Sequence, residues 1–160
     1  MQTLELSRTS RRIAGLLLLS LVTIEFGGYY LTRVASGQVE LTGFQVAFSR
    51  AGHAHAGVLV TLSLVAVVLA DATRLRGALG YIARLGIPLA AILMSSGFFL
   101  SSMGAGRTEP NGFIVVLWLG GISLAVGAVS LGVALVRSGF ARSAPSDQDT
   151  TPTTRASRSQ

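Results

Sequence analysis

Apolar residues occur along the chain in four blocks of about 20 residues, separated by short polar connections. The blocks cover residues 13–31, 51–70, 81–103 and 113–136. An α-helix of about 20 residues spans the hydrocarbon core of a bilayer, which is roughly 30 Å thick. The pattern therefore predicts an all-α membrane protein, a bundle of four transmembrane helices whose first partner is the lipid bilayer.

Composition supports a membrane protein and excludes several classes of function. Only 12% of the residues are charged and the mean hydropathy is +0.60, whereas a soluble domain carries about twice that charge. The chain has no cysteine, which excludes disulfides, thiolate-ligated clusters and cysteine nucleophiles. No sequence motif of a soluble enzyme is present, which favours a protein that is not an enzyme.

The positive charge predicts an orientation rather than a nucleic-acid partner. The net charge is +6, and the arginines concentrate before the first block, around the second connection and after the last block. The other two connections hold fewer arginines, and Glu40 and Glu109 offset them. By the positive-inside rule, both termini are cytoplasmic and the loops 33–50 and 104–111 lie outside the inner membrane of a bacterium.

Residues 28–44 resemble residues 97–113, and each residue of the first segment corresponds to the one 69 positions later. Six pairs are identical: Gly28/Gly97, Leu31/Leu100, Gly37/Gly106, Glu40/Glu109, Gly43/Gly112 and Phe44/Phe113. Self-similarity at a fixed offset indicates repeated architecture. Because each unit holds two spans, the repeat is parallel, with a pseudo-twofold axis along the membrane normal. We expect the repeated glycines to form tight turns with positive φ.

The repeat divides the chain into two helical hairpins, residues 13–71 and 81–137. Residues 1–12 form a cytoplasmic N-terminal segment. Residues 138–160 are rich in Ser, Thr, Pro and Asp, so they cannot bury enough apolar surface to offset the entropy of ordering. We predict a disordered cytoplasmic tail.

Three titratable residues lie at membrane depth in the first hairpin. Glu25 interrupts the first apolar block, and His53 and His55 open the second. A carboxylate inside a membrane is costly, so we expect it to face the bundle or to pair. The two histidines are about 200° apart around a helix and cannot both ligate one ion from it. His53 shares a face with small residues and is preferred for a buried role, while His55 faces lipid or a second interface.

The second hairpin lacks these side chains. The positions that correspond to Glu25, His53 and His55 are Met94, Ile122 and Leu124. The scaffold is therefore used twice, whereas its titratable groups occur once. This asymmetry indicates that the first hairpin carries the function.

Three interpretations of the cluster stay open. In the first, His53, with or without His55, is an axial ligand of a haem b between the helices. In the second, the histidines bind copper or another soft-to-borderline metal ion together with Met94 or Met103. In the third, no cofactor is bound, and a buried polar network sets the helix register or relays protons. That network consists of Glu25 and His53 with Arg50, Tyr29 and Ser102.

The fourth span carries two stripes of small residues, which allow other helices to approach closely. One stripe contains Gly120, Ser123 and Gly127, and the other contains Gly121 and Gly132. They suit packing within the bundle, a homodimer or docking onto a larger membrane complex.

The sequence leaves three candidate functions. The first is a haem- or metal-binding protein for electron transfer, sensing or an accessory role. The others are a structural or assembly subunit and a proton relay or small transporter component.

The segments "GYYLTR" and "GHAHAGVLV" together resemble small four-span bacterial membrane proteins that are distantly related to subunit one of the haem-copper oxidases. The resemblance covers the first two spans. It implies that His53 or His55 occupies the position of a haem ligand. It does not imply oxygen reduction, because the chain has no counterpart of the copper-ligating histidines.

Overall fold

The computed structural model describes residues 5–73 and 75–141. The described chain forms four helices and no strand. They are α1 (Arg8–Ala35), α2 (Gly43–Ala72), α3 (Gly77–Ser102) and α4 (Ile114–Ala141). All four are long and apolar enough to cross a membrane, which confirms the predicted all-α, four-span architecture. Residues 138–141, expected in a disordered tail, continue α4, and the rest of that tail lies outside the described residues.

Helices α1 and α2 begin before their apolar blocks, because Ser7 and Thr42 cap them there. Thr42 caps α2 through its side chain, which accepts a hydrogen bond from the Gln45 backbone N–H. The Gln45 side chain in turn accepts from the Thr42 backbone N–H, completing a capping box. Such caps satisfy amide groups that have no partner in the first turn of a helix. As a result, the polar residues before position 51 are also helical.

Each helix packs on the next one in the chain, and α3 lies between α2 and α4. Helix α1 packs on α2 and has little contact with the rest. Its buried residues are Ser10 and Leu17. The two hairpins are therefore packed unequally, since α3 and α4 make a far more extensive contact than α1 and α2.

The interface between α3 and α4 brings two backbones together. A Cβ atom added to Gly86 would lie 2.6 Å from Gly127 Cα. The hydroxyl of Ser123 donates to the Gly86 carbonyl at 2.8 Å. This stripe of small residues on α4 therefore packs inside the chain. The second stripe, which contains Gly132, stays largely exposed.

The connections 36–42 and 103–113 meet at one end of the bundle, which we call the loop end. Gln45 Nε2 donates to the Ser102 carbonyl at 3.0 Å and to the Gly104 carbonyl at 2.8 Å. The repeated glycines Gly37 and Gly106 have φ angles of 73° and 62°. The expected positive φ is therefore confirmed for these two glycines, whereas it is wrong for the other four repeated glycines: Gly28, Gly43, Gly97 and Gly112.

The corresponding residues Thr42 and Asn111 also act alike. The Thr42 hydroxyl accepts from the Gln45 backbone N–H at the start of α2. The Asn111 side-chain oxygen accepts from the Phe113 backbone N–H just before α4. The two turns thus have a glycine of positive φ and a side chain that accepts from the backbone at corresponding positions, although their helices pack differently.

Candidate functional site

The imidazole of His53 lies between α1 and α2, against two adjacent glycines of α1. Its Nδ1 atom is 3.3 Å from the position that a Cβ of Gly27 would take, and its Cε1 atom is 3.3 Å from that of Gly28. The His53 imidazole makes no hydrogen bond or ion pair with the described residues. The missing side chains of the glycines create the space that the ring occupies.

The imidazole of His55 faces α3 instead. Its ring centroid is 4.9 Å from that of Phe98, with an interplanar angle of 40°. Its Nδ1 atom is 2.8 Å from the Ala51 carbonyl oxygen. Because a carbonyl only accepts, Nδ1 donates this bond, and in the neutral form of the ring Nε2 is then the nitrogen with the free lone pair. Metal-ligating histidines commonly have this arrangement, in which the other ring nitrogen donates to a carbonyl.

A groove runs between α1 and α3, with α2 as its floor. One cavity of about 450 Å³ occupies its middle, with Thr23 on α1, Ala56 on α2 and Ser95 on α3 among its lining residues. A second cavity of about 480 Å³ continues it toward the loop end, past Gly27 and Ser102. Neither histidine lines either cavity.

Three of the predicted site residues are exposed: Glu25, Tyr29 and Arg50. Tyr29 has 64% of its surface accessible. No hydrogen bond or ion pair joins any two of them within residues 5–73 and 75–141. Glu25 lies about one turn before Gly28, which contacts His53, yet its carboxylate does not bond the imidazole. The described chain therefore does not join the acid and the imidazole in a shared site.

These exposed groups lie on one side of the first hairpin. Viewed along the axis of α2, His53 lies about 60° from Ala56, and Arg50 lies about 60° further in the same direction. Ala56 lines the groove and His53 contacts α1, so Arg50 lies beyond that contact. On α1, Glu25 is about 200° from Thr23, which lines the groove. Glu25 and Arg50 thus lie outside the groove, beyond the contact of α1 with α2, and we call them, with Tyr29, the polar face.

The remaining predicted site residues lie elsewhere. Met94 packs against Gly120 of α4, and Met103 follows α3 with 61% of its surface exposed. Ser102 is buried, and its hydroxyl donates to the Phe99 carbonyl at 3.1 Å. None of these bonds to a histidine in the described chain. Nor do residues 5–73 and 75–141 contain a cluster of three or more His, Cys, Asp or Glu side chains that could hold a metal ion.

An ion pair that the sequence analysis missed joins three helices at the end opposite the loops. The Arg84 guanidinium lies 2.8 Å from the Asp71 carboxylate, with side-chain exposures of 15% and 5%. The other Asp71 oxygen accepts from the Ser7 backbone N–H at 2.8 Å. The available signal was an acid directly after the second apolar block, with an arginine shortly after the connection. The pair links the start of α1 to α2 and α3.

The geometry defines a small integral membrane protein of four helices, with a groove between α1 and α3 and a polar face outside it. Comparisons with protein-family models, with curated proteins and with solved structures found no match.

Proposed function

We propose that the protein is a non-catalytic subunit of a larger membrane assembly, which it joins through the polar face. The observation that carries this proposal is that Glu25, inside the first apolar block, and Arg50, just before the second, are both exposed without a side-chain partner in the described chain. Ionisable groups within a membrane almost always face protein or water rather than lipid. A partner that covers this face would supply those missing contacts.

The cost of leaving the face in lipid is substantial. Glu25 lies roughly 15 Å along the axis from the loop end of α1. A charged side chain near the middle of a transmembrane helix costs about 2.5–3.5 kcal/mol on insertion scales. A hydrogen-bond donor or a cation on a partner helix would offset much of this cost. A partner acid or amide would do the same for Arg50.

The packing of α1 supports the same proposal. Large apolar side chains flank Glu25 on the exposed side of α1, and Val22 and Phe26 have 61% and 72% of their surfaces accessible. Helix α1 also has the least buried apolar segment of the four helices, with 6% of its residues buried. An additional helix beside α1 would bury this surface without disturbing the contacts among α2, α3 and α4.

Native electrophoresis of membranes solubilised in mild detergent tests the proposal. We expect the wild-type chain to migrate in an assembly well above its own 16.6 kDa. Glu25→Leu and Arg50→Leu should release it, while Glu25→Gln should retain part of the assembly because the amide still forms hydrogen bonds. Trp118→Leu, on the exposed surface of α4, is the control and should change nothing. Co-purification of two differently tagged copies distinguishes self-association from another partner.

The proposal is wrong if the wild-type chain migrates alone, or if both leucine variants stay in the assembly. A leucine variant that aggregates is identified by its elution on size exclusion. In that case the migration of Glu25→Gln is compared with that of the control, Trp118→Leu.

A second function, the binding of haem b or copper, is supported by the His55 side chain. Its bond to the Ala51 carbonyl leaves Nε2 as a potential ligand, whereas His53 has no such orienting bond. On this evidence His55 is the preferred ligand, although the sequence favoured His53. Absorption spectra and metal analysis of purified protein test this function. We expect a Soret band or stoichiometric copper that His55→Ala removes and His53→Ala retains, and colourless, metal-free protein would contradict it.

A further inference from the structure

The α1–α3 groove is an apolar space that the described chain leaves unfilled. Its middle cavity has a volume of about 450 Å³ and is lined mainly by aliphatic side chains such as Leu17, Val60 and Ile92. Such a lining does not hold water well, because a water molecule needs several polar partners. Inside a bilayer, a hydrocarbon chain is therefore the expected filling.

Three hydroxyl groups add polar character to the otherwise apolar groove. Several hydroxyls on these helices donate to a carbonyl one turn earlier, as Ser20 does at 2.7 Å and Ser63 at 2.6 Å. The Oγ atom of Ser95 is buried and has no hydrogen-bond partner. Thr23 and Ser96 line the same cavity and also make no hydrogen bond with the described residues. Three hydroxyls without an intramolecular partner thus line the middle cavity.

An unpartnered buried hydroxyl is costly, because it has given up its bonds to water. Ser95 lines the cavity, so rotation about its χ1 angle can present the hydroxyl to an occupant. Ser95 is roughly 10 Å along the axis from the loop end of α3, while the whole helix spans about 39 Å. Because a hydrocarbon core is about 30 Å thick, Ser95 lies inside it, below the level of phospholipid headgroups.

We propose that the α1–α3 groove binds an elongated lipophile that carries a carbonyl oxygen on a long hydrocarbon chain. The chain fills the aliphatic part of the groove. The carbonyl accepts a hydrogen bond from Ser95, with Thr23 and Ser96 beside it. A hydrocarbon chain alone would leave the three hydroxyls without a partner, which is why the occupant carries an acceptor. This site is separate from the polar face and does not depend on the proposed function.

Photo-crosslinking in phosphatidylcholine nanodiscs tests the site. The probe is a long-chain methyl ketone with a diazirine on its chain, and the matched probe has a methylene group in place of the carbonyl. A phosphatidylcholine with the same diazirine on one acyl chain reports ordinary lipid contact. Labelled peptides are mapped by mass spectrometry in the full-length protein. Ser95→Ala removes the hydroxyl, and Ser130→Ala, on α4 outside the groove, is the matched control.

We expect the ketone to label the groove-facing parts of α1 and α3. Labelling should fall about fivefold in Ser95→Ala, the loss of roughly one hydrogen bond, and should be unchanged in Ser130→Ala. The methylene probe should label the wild type as weakly as the ketone labels Ser95→Ala. Equal labelling by ketone and methylene probes would overturn the proposal. So would unchanged ketone labelling of Ser95→Ala, or ketone labelling no stronger than that of the phosphatidylcholine probe. Size exclusion and circular dichroism verify that both variants fold.

Discussion

The substitution Gly86→Ala tests how tightly α3 and α4 are held together. The added Cβ would lie 2.6 Å from Gly127 Cα and 3.1 Å from its backbone nitrogen, whereas ordinary contacts begin at 3.4 Å. The obstacle is backbone, so no side chain can rotate away. The helices must separate by up to about 0.8 Å, the shortfall in the closest contact. This movement also strains the bond from the Ser123 hydroxyl to the Gly86 carbonyl.

The expected magnitude combines opposing effects. Overpacking in a well-filled interface costs about 1–3 kcal/mol, and weakening one hydrogen bond adds about 1 kcal/mol. Replacing glycine by alanine within a helix returns about 1 kcal/mol. We therefore expect a net destabilisation of about 1–3 kcal/mol for Gly86→Ala. In Gly132→Ala, where a Cβ meets nothing within 4 Å, only the favourable helix term operates, and stability should stay equal or rise by up to about 1 kcal/mol.

Unfolding of both variants by sodium dodecyl sulfate in mixed micelles, followed by circular dichroism, measures the difference. Gly86→Ala should unfold at a lower mole fraction of the denaturing detergent than wild type, and Gly132→Ala at an equal or higher one. Identical curves for the two variants would show that the backbones are not in contact, and the account of the interface would then fail.

Two further predictions concern the opposite ends of the bundle. Asp71→Leu should lower the free energy of unfolding by about 3 kcal/mol, because it leaves the largely buried Arg84 guanidinium without its partner. The double variant Asp71→Leu/Arg84→Leu should regain most of this stability. A double variant no more stable than Asp71→Leu would contradict the pairing. At the loop end, Gly37→Ala and Gly106→Ala should each cost about 1–2 kcal/mol because φ is positive there. Gly112→Ala, which has neither a positive φ nor a nearby atom, is the control, and a cost as large as those of the other two would exclude backbone strain as the cause.

The sequence was informative wherever a property belongs to a local stretch of chain. The number of spans follows from the length of each apolar block, because one helix satisfies its own backbone within the bilayer. The turn glycines at 37 and 106 followed from the repeat, because a positive φ is a local requirement that glycine meets without strain. The opposite directions of the two histidines followed from their spacing of two residues.

The tertiary structure decided what depends on how far neighbouring helices stand apart. No local feature of the sequence predicted that α1 packs loosely, which leaves Glu25 exposed and a groove beside Ser95. Asp71 and Arg84 pair because the end of α2 and the first turns of α3 meet in space. An apolar helix can present any of several faces to its neighbours at similar cost. The choice is made only when all four helices pack together, through close contacts such as that of Gly86 with Gly127.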